Sequence, residues 1–237
     1  MVTEFQGAII AAGRGERLRA SSGVELPKPL VQVGGTPLLV RQASAMVSAG
    51  AREVLAVVNS ETASLARGMS FPRELRLVVR DTESSMESLF VLGESLQPGH
   101  FLLATVDAVV PESEFRRFVA QARASGAATA PERLDGVLAV TKWRGDRRPL
   151  FAEVTEVGLI TSLGQRETSL VTAGLYWLPS TIFGWSGTAR GRQLGALRAF
   201  LQLLLEEQTR LGAIEVEGAI DIDEAADLEA ARRMLAG

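Results

Sequence analysis

The sequence predicts a three-layer α/β/α fold: a mostly parallel central sheet, helices on both faces, and an antiparallel or mixed layer extending the sheet in the second half. Three observations lead there. Apolar runs of strand length alternate with segments of helical period through the first half. The first run ends in small residues and a glycine-rich basic loop. Beyond about residue 136 the pattern changes to short strands separated by turn residues. A chain of 237 residues that is 46% hydrophobic can bury a sizeable core. We read it as one domain, 1–237, with a first half over 1–130 and a second over 131–237.

The elements follow in order. Residues 6–12 form a strand-length apolar run, and 36–49 carry apolar residues at helical spacing before Gly50. Residues 53–58 are a β-branched strand, 60–69 a helix, 75–79 a strand, 85–96 a helix and 101–106 a strand. A helix over 111–125 begins at Pro111 and stops at Gly126. In a doubly wound, Rossmann-like arrangement of this kind, ligands bind at the carboxyl ends of the strands. In the second half, residues 137–141, 150–154, 158–163 and 170–178 read as strands. A long helix is predicted from about 192 to 211, with Leu194, Leu197, Leu201, Leu204 and Leu205 on one face. That stripe serves core packing in the first instance and leaves a homodimer contact open.

The chemistry starts at the first strand. Ala11 and Ala12 let the backbone beyond them approach a ligand closely. Gly13 and Gly15 are expected to permit the dihedrals that turn amides inward. Arg14, Arg17 and Lys28 add positive charge, so the segment suits a polyphosphate. Pro27 and Pro29 flank Lys28 and stiffen its backbone. The loop lacks the Gly-Lys-Ser/Thr ending of a Walker loop and the third glycine of a dinucleotide fingerprint. Asp107 follows a buried strand, where an ionised carboxylate needs a partner, so it reads as a ligand for a divalent cation at the rim of the sheet. A helix cap fits less well, because Pro111 opens the next helix several residues later. Further carboxylates stand near the C-terminus, in Asp221-Ile-Asp223-Glu-Ala-Ala-Asp227.

The string AAGRGERL over residues 11–18, with PKPL over 27–30, resembles the nucleotidyltransferase superfamily that activates sugar phosphates, phosphocholine and the molybdenum cofactor. The resemblance covers most of the chain and implies an Mg-dependent enzyme. It would move a nucleoside monophosphate from a nucleoside triphosphate to a sugar 1-phosphate or similar phosphomonoester, releasing pyrophosphate. Lys28 and magnesium on Asp107 and Asp221 would stabilise the α-phosphate, and Arg14, Arg17 and the loop amides would hold the leaving group. Asp221 is the position matching the family's second metal carboxylate. Asp223 is expected to face away from it and to cap the helix containing Asp227 and Leu228. The family often has Thr-Pro where this chain has Glu224-Ala225.

Ser84, Ser85 and Ser88 stand where the family presents a polar loop to the nucleobase. Either base recognition or helix capping accounts for them. Residues 151–163 and 172–179 look like the family's acceptor-side strands, including its "glycine, aliphatic, tyrosine" segment. The Glu-Lys-Pro of the sugar enzymes is missing, and residues 164–168 read Gly-Gln-Arg-Glu-Thr. Arg166 or Lys142 would take over the acceptor phosphate, or both are solvated surface cations. The alternatives are a CTP-dependent cytidylyltransferase for an alcohol phosphate such as phosphocholine, and a non-catalytic nucleotide-binding module.

With no cysteine and one histidine, thiolate metal sites, disulfides and Cys-His catalysis are excluded. The net charge of −3 argues against nucleic acid as a partner. The N-terminal run shows no signal-peptide pattern and no apolar run approaches the ~20 residues of a membrane span. A cytoplasmic protein without a membrane partner is expected. His100, in Pro98-Gly-His, reads as a turn residue.

Overall fold

The computed structural model describes residues 4–126, 133–143, 145, 149–164 and 166–236. The division placed at 130/131 and Gln165 of the 164–168 loop lie outside these residues. The first apolar run is β1 (Phe5–Ala11), buried along its whole length. Phe5, Ile9 and Ala11 join the core on one face of the sheet and Ala8 and Ile10 the core on the other. A strand covered on both sides can be apolar throughout, which is why no polar alternation shows in it.

A short helix α1 (Glu16–Ser22), a 3₁₀ turn Lys28–Leu30 and a small ribbon of β2 (Gln32–Val33) and β3 (Thr36–Pro37) lead into α2 (Leu38–Ser48). Then come β4 (Ala51–Val58), α3 (Ser60–Leu65), β5 (Leu75–Val79), α4 (Ser85–Gly93), β6 (His100–Thr105), β7 (Ala108–Val109) and α5 (Glu112–Gly126). The second half runs β8 (Gly136–Lys142), β9 (Phe151–Val154), β10 (Ile160–Gly164), β11 (Leu170–Pro179), α6 (Ser186–Gly191), α7 (Leu197–Glu206), β12 (Leu211–Glu215), β13 (Ile220–Asp221) and α8 (Ala225–Ala236).

Among the described residues the main sheet follows the order β10-β9-β11-β6-β1-β4-β5, with β8 on β11 and β12 on β8. The pairs β1/β4, β1/β6 and β4/β5 are parallel. Strand β11 runs antiparallel to β6, β8 and β9. This is the expected parallel sheet with a mixed extension. The carboxyl ends of β1, β4, β5 and β6 therefore share one rim, the place for a ligand in an open α/β sheet.

Two expectations, the long helix and the place of His100, need correction. The helix predicted over 192–211 is only α7. Gln193 at φ 54 ends the preceding turn, and Gln208 at φ 62 closes α7 before β12 starts at Leu211. Its Leu197, Leu201 and Leu204 are buried with Phe90 and Phe200 in this chain's own core, so that part of the stripe is consumed by internal packing. The phosphate loop runs into α1, which lacks the third glycine of a dinucleotide fingerprint, as expected. His100 opens β6, stacks on Trp177 and places Nε2 3.0 Å from the Asp135 carbonyl, so it is a strand residue. Among the described residues no helix is long and apolar enough to cross a membrane.

Candidate active site

Asp107 sits in the turn between β6 and β7, and several groups set its geometry. The Val106 amide donates to the Ile10 carbonyl at 3.1 Å, tying the turn to the end of β1. The buried Gln42 side chain donates to the Thr105 carbonyl at 3.2 Å and also to the Ala108 carbonyl, holding the backbone on both sides of the aspartate. Gly174, at φ +72 in β11, packs directly on this turn: a Cβ there would meet Thr105 Oγ1 at 2.7 Å and would overlap Ala108 Cβ. Only glycine permits that backbone and that approach together.

Lys28 enters from the opposite side of the rim. Pro27 is extended at φ −53 and ψ 141, and Pro29 lies within the 3₁₀ turn, so the lysine stem starts from a fixed backbone. Gly15 is left-handed at φ +66, and a Cβ on it would stand 2.7 Å from Lys28 Cβ. Loop and lysine therefore pack against each other. Gly13 is not left-handed; a Cβ built there meets nothing within 4 Å, so it keeps space open rather than making a turn.

The lysine is 8% exposed, and its Nζ lies 2.6 Å from Asp107 Oδ2 and 2.9 Å from Asp223 Oδ1. Burial pulls the ammonium toward its neutral form. The charges of Asp107, Asp221 and Asp223 outweigh that, and its pKa ends above the usual lysine value. Asp107 shows the reverse balance: burial pushes its pKa up, but the Lys28 charge and hydrogen bonds from Lys28 and Thr105 bring it below the ordinary carboxylate value.

Asp221 pairs antiparallel with Ala108 across the β13/β7 ribbon, and the Ile222 amide donates to the Asp107 carbonyl at 3.1 Å. The two carboxylates thus emerge side by side. Crowding by surrounding protein, with the charge of Asp107 next, raises the Asp221 pKa well above its ordinary value. Asp223 does not face away. Residues two apart in an extended chain share a face, and Asp223 reaches both Lys28 and Arg17, the latter at 2.8 Å. The capping is done by Asp227, whose Oδ2 accepts from the Asp223 and Glu224 amides at 3.0 and 2.8 Å.

The remaining candidates divide. Ala11 and Ala12 are buried at the loop entrance; Arg14 is exposed, and its charge reaches Asp81. Arg17, half exposed, is held by Asp223. Ser84 caps α4 by accepting from the Glu87 amide at 3.1 Å; Ser85 Oγ accepts from the Leu197 amide at 2.9 Å, which fixes the start of α7. Ser88 is buried, 2.6 Å from Thr82 Oγ1. Of the three, Ser84 is the cap of α4, and Ser85 and Ser88 have structural partners elsewhere. On the acceptor side Arg166 is 85% exposed and paired with Glu153 at 2.9 Å, and Lys142 is 76% exposed and 3.8 Å from Glu215. Both are surface cations.

Residues the motifs did not single out complete the rim. Asn59 follows β4 and caps α3; it donates from Nδ2 to the Ala12 carbonyl at 3.0 Å and accepts from the Thr62 amide at 2.8 Å. Asp81, after β5, accepts from the Ser60 amide and hydroxyl at 3.0 and 2.5 Å. A polar residue directly after an apolar run, as in Val-Val-Asn, was the available signal. Tyr176 is buried beside the carboxylates; burial pushes its phenol up to about 12 despite a hydrogen bond with Thr172, and the charge of Arg198 on α7 reaches the same hydroxyl.

Asp107 and Asp221 offer hard oxygen donors whose mutual repulsion a divalent cation would relieve. Among the described residues no three His, Asp or Glu side chains form a group that could hold a metal ion. A cation here would take two protein carboxylates and complete its shell with phosphate oxygens and water, a set that suits Mg²⁺.

The chain is similar to known proteins over much of its length. A family model described as a MobA-like NTP transferase domain matches residues 7–170. Mannose-1-phosphate guanyltransferase of Yarrowia lipolytica is 37% identical over 55 residues, and that of Pichia angusta 39% over 55 residues. Each match takes in 23% of this chain and 15% of the relative's length. Among solved structures, the inositol-1-phosphate CTP transferase of T. maritima has a TM-score of 0.77 at 17% identity, covering 99% of this chain and 97% of its own. A glucose-1-phosphate thymidylyltransferase from Bacillus anthracis scores 0.80 at 17%, covering 97% and 94%, and the CTP:phosphocholine cytidylyltransferase of Streptococcus pneumoniae scores 0.78 at 18%, covering 98% and 100%.

Proposed function

This chain belongs to the family of MobA-like NTP transferase domains, and on that footing we propose that it transfers a nucleoside monophosphate from a nucleoside triphosphate to a sugar 1-phosphate or similar phosphomonoester, with release of pyrophosphate. The observation that carries the reading is the meeting of Lys28 with Asp107 at 2.6 Å, beside Asp221 and at the mouth of the glycine loop. A site that only bound a nucleotide has no need of two carboxylates packed against the cation meant for phosphate.

In the proposed reaction an acceptor phosphate oxygen forms a bond to the α-phosphorus while the bond to the bridging oxygen breaks, and the electron pair leaves with pyrophosphate. Lys28 neutralises charge on the non-bridging α-oxygens, its stem fixed by two prolines and Gly15, so little reorganisation accompanies the reaction. Arg14 and Arg17 hold the departing diphosphate by forked hydrogen bonds. Asp107 and Asp221 would hold Mg²⁺, which when bound supplies neutralisation of the phosphates and an in-line template.

Arg166 and Lys142 are surface cations engaged with Glu153 and Glu215, and neither pairing singles out a grip for the acceptor phosphate. An alcohol phosphate is the second reading. It is favoured by the two CTP-dependent enzymes of matching fold, which this chain covers almost end to end. Pyrophosphate release, screened with the four ribonucleoside triphosphates and dTTP against sugar 1-phosphates and alcohol phosphates, separates the two. Turnover confined to CTP with an alcohol phosphate would displace the first reading.

A further inference from the structure

Asp223 is the third carboxylate at the rim, and its two oxygens are both engaged. Oδ1 lies 2.9 Å from Lys28 Nζ and Oδ2 lies 2.8 Å from Arg17. The carboxylate bridges two segments that are separate in the chain, the 3₁₀ turn bearing Lys28 and the helix α1 bearing Arg17. Its own backbone is anchored. Asp227 accepts from the Asp223 and Glu224 amides, and Ser21, on the same helix as Arg17, accepts from the Ala225 amide at 3.0 Å. The start of α8 is thereby clamped to α1 by a hydroxyl and by a charge.

We propose that Asp223 is a positioning residue that holds Lys28 and Arg17 in one fixed arrangement and is displaced in part when a polyphosphate takes up the same two cations. The inference rests on the nucleotidyl-transfer reading. Division of labour among the three aspartates follows from their contacts. Asp107 meets Lys28 through Oδ2 and stands with Asp221 across the β7/β13 ribbon, whereas both oxygens of Asp223 have cationic partners, Lys28 and Arg17. With Asp107 turned to a divalent cation, Asp223 is the group that keeps Lys28 aimed across the rim.

A negative charge shared between two phosphate-binding cations has opposite effects on binding and on turnover. It offsets part of their attraction for a bound polyphosphate, and it fixes where they stand when charge moves from the α-phosphate to the leaving group. A residue that merely capped α8 would do neither.

The deciding experiment is calorimetric titration with inorganic tripolyphosphate in EDTA, which needs neither turnover nor knowledge of the nucleotide. Asp223→Asn is expected to bind about threefold tighter than wild type, the scale of a partly exposed ion pair. The gain should shrink when Lys28 or Arg17 is alanine. With the substrate pair found by the pyrophosphate screen, kcat should fall about tenfold, as for a misplaced electrostatic group, while KM for the triphosphate does not rise. Asp223→Glu should return both values toward wild type, and Asp223→Ser serves if the asparagine variant does not fold. Unchanged or weaker tripolyphosphate binding, a gain of equal size in both backgrounds, or an unaltered kcat would overturn the proposal. A wild-type protein that binds tripolyphosphate as described but turns over no pair would contradict the proposed function and leave the two-cation clamp standing.

Discussion

Asp221 stands beside Asp107 because its strand pairs with the residue that follows Asp107, Ala108, across a two-residue antiparallel ribbon. The ribbon is short, yet it brings a C-terminal carboxylate to the rim formed by β1, β4, β5 and β6, four strands of the first half of the chain. Surrounding protein first, and the like charge of Asp107 next, raise the pKa of Asp221 against the opposing charge of Lys28.

A stability prediction follows. The Asp221 pKa is raised in the folded protein, so its ionised form is less favoured there than in the unfolded chain and costs stability at neutral pH. Asp221→Asn should therefore melt a few degrees higher than wild type in EDTA at pH 7 to 8. The sign reverses the usual salt-bridge case. Because the folded pKa lies above the unfolded value of about 3.9, the advantage should diminish as pH falls through the folded pKa and vanish below the unfolded one. Thermal melts of both proteins across that range check it; a lower melting temperature for the variant at neutral pH would contradict the account.

Much of this site was legible in the sequence, for a physical reason. β1, the loop at residues 13–15, the Pro-Lys-Pro turn and Asp107 after an apolar run are local patterns, and local backbone chemistry fixes where their side chains go. What escaped was non-local or short. β12 is five residues following a leucine-rich helix, and its apolar residues extend the helical stripe in the sequence. The role of Asp223 depends on Lys28 and Arg17, which lie near the other end of the chain, and β13 is too brief for alternation to be read with safety. The hydroxyls of Ser84, Ser85 and Ser88 could not be assigned before their partners, the Glu87 and Leu197 amides and Thr82, were in place.

The two glycines of different kind should behave differently. Gly174→Ala forces a Cβ onto Thr105 and Ala108 at a left-handed backbone, so it should destabilise the protein by about 1 kcal/mol or more and lower kcat through the displaced Asp107 turn. Gly13→Ala meets open space and should leave the melting temperature unchanged while raising KM for the triphosphate. Melting curves and steady-state kinetics on the two variants measure this; a Gly13→Ala protein with unaltered KM would show that no phosphate occupies that space.

If Asp107 and Asp221 hold one magnesium, Asp107→Asn and Asp221→Asn should each weaken the magnesium response, and the double variant should lose less than the sum of the singles because both remove the same ion. Magnesium titrations at saturating substrates for the four proteins of the cycle supply the numbers. Fully additive losses would mean that the two carboxylates act separately.

Whether Lys28, beside Asp107 and Asp221, acts on the reacting phosphate is decided by pyrophosphate release from wild type and Lys28→Ala with the cognate pair. Wild type should yield pyrophosphate and the nucleotidylated acceptor in equal amounts. Turnover should be lower by roughly two to three orders of magnitude in a Lys28→Ala protein that keeps its folded circular-dichroism spectrum, the loss typical of removing such an electrostatic stabiliser. Near-normal turnover without the lysine would contradict it.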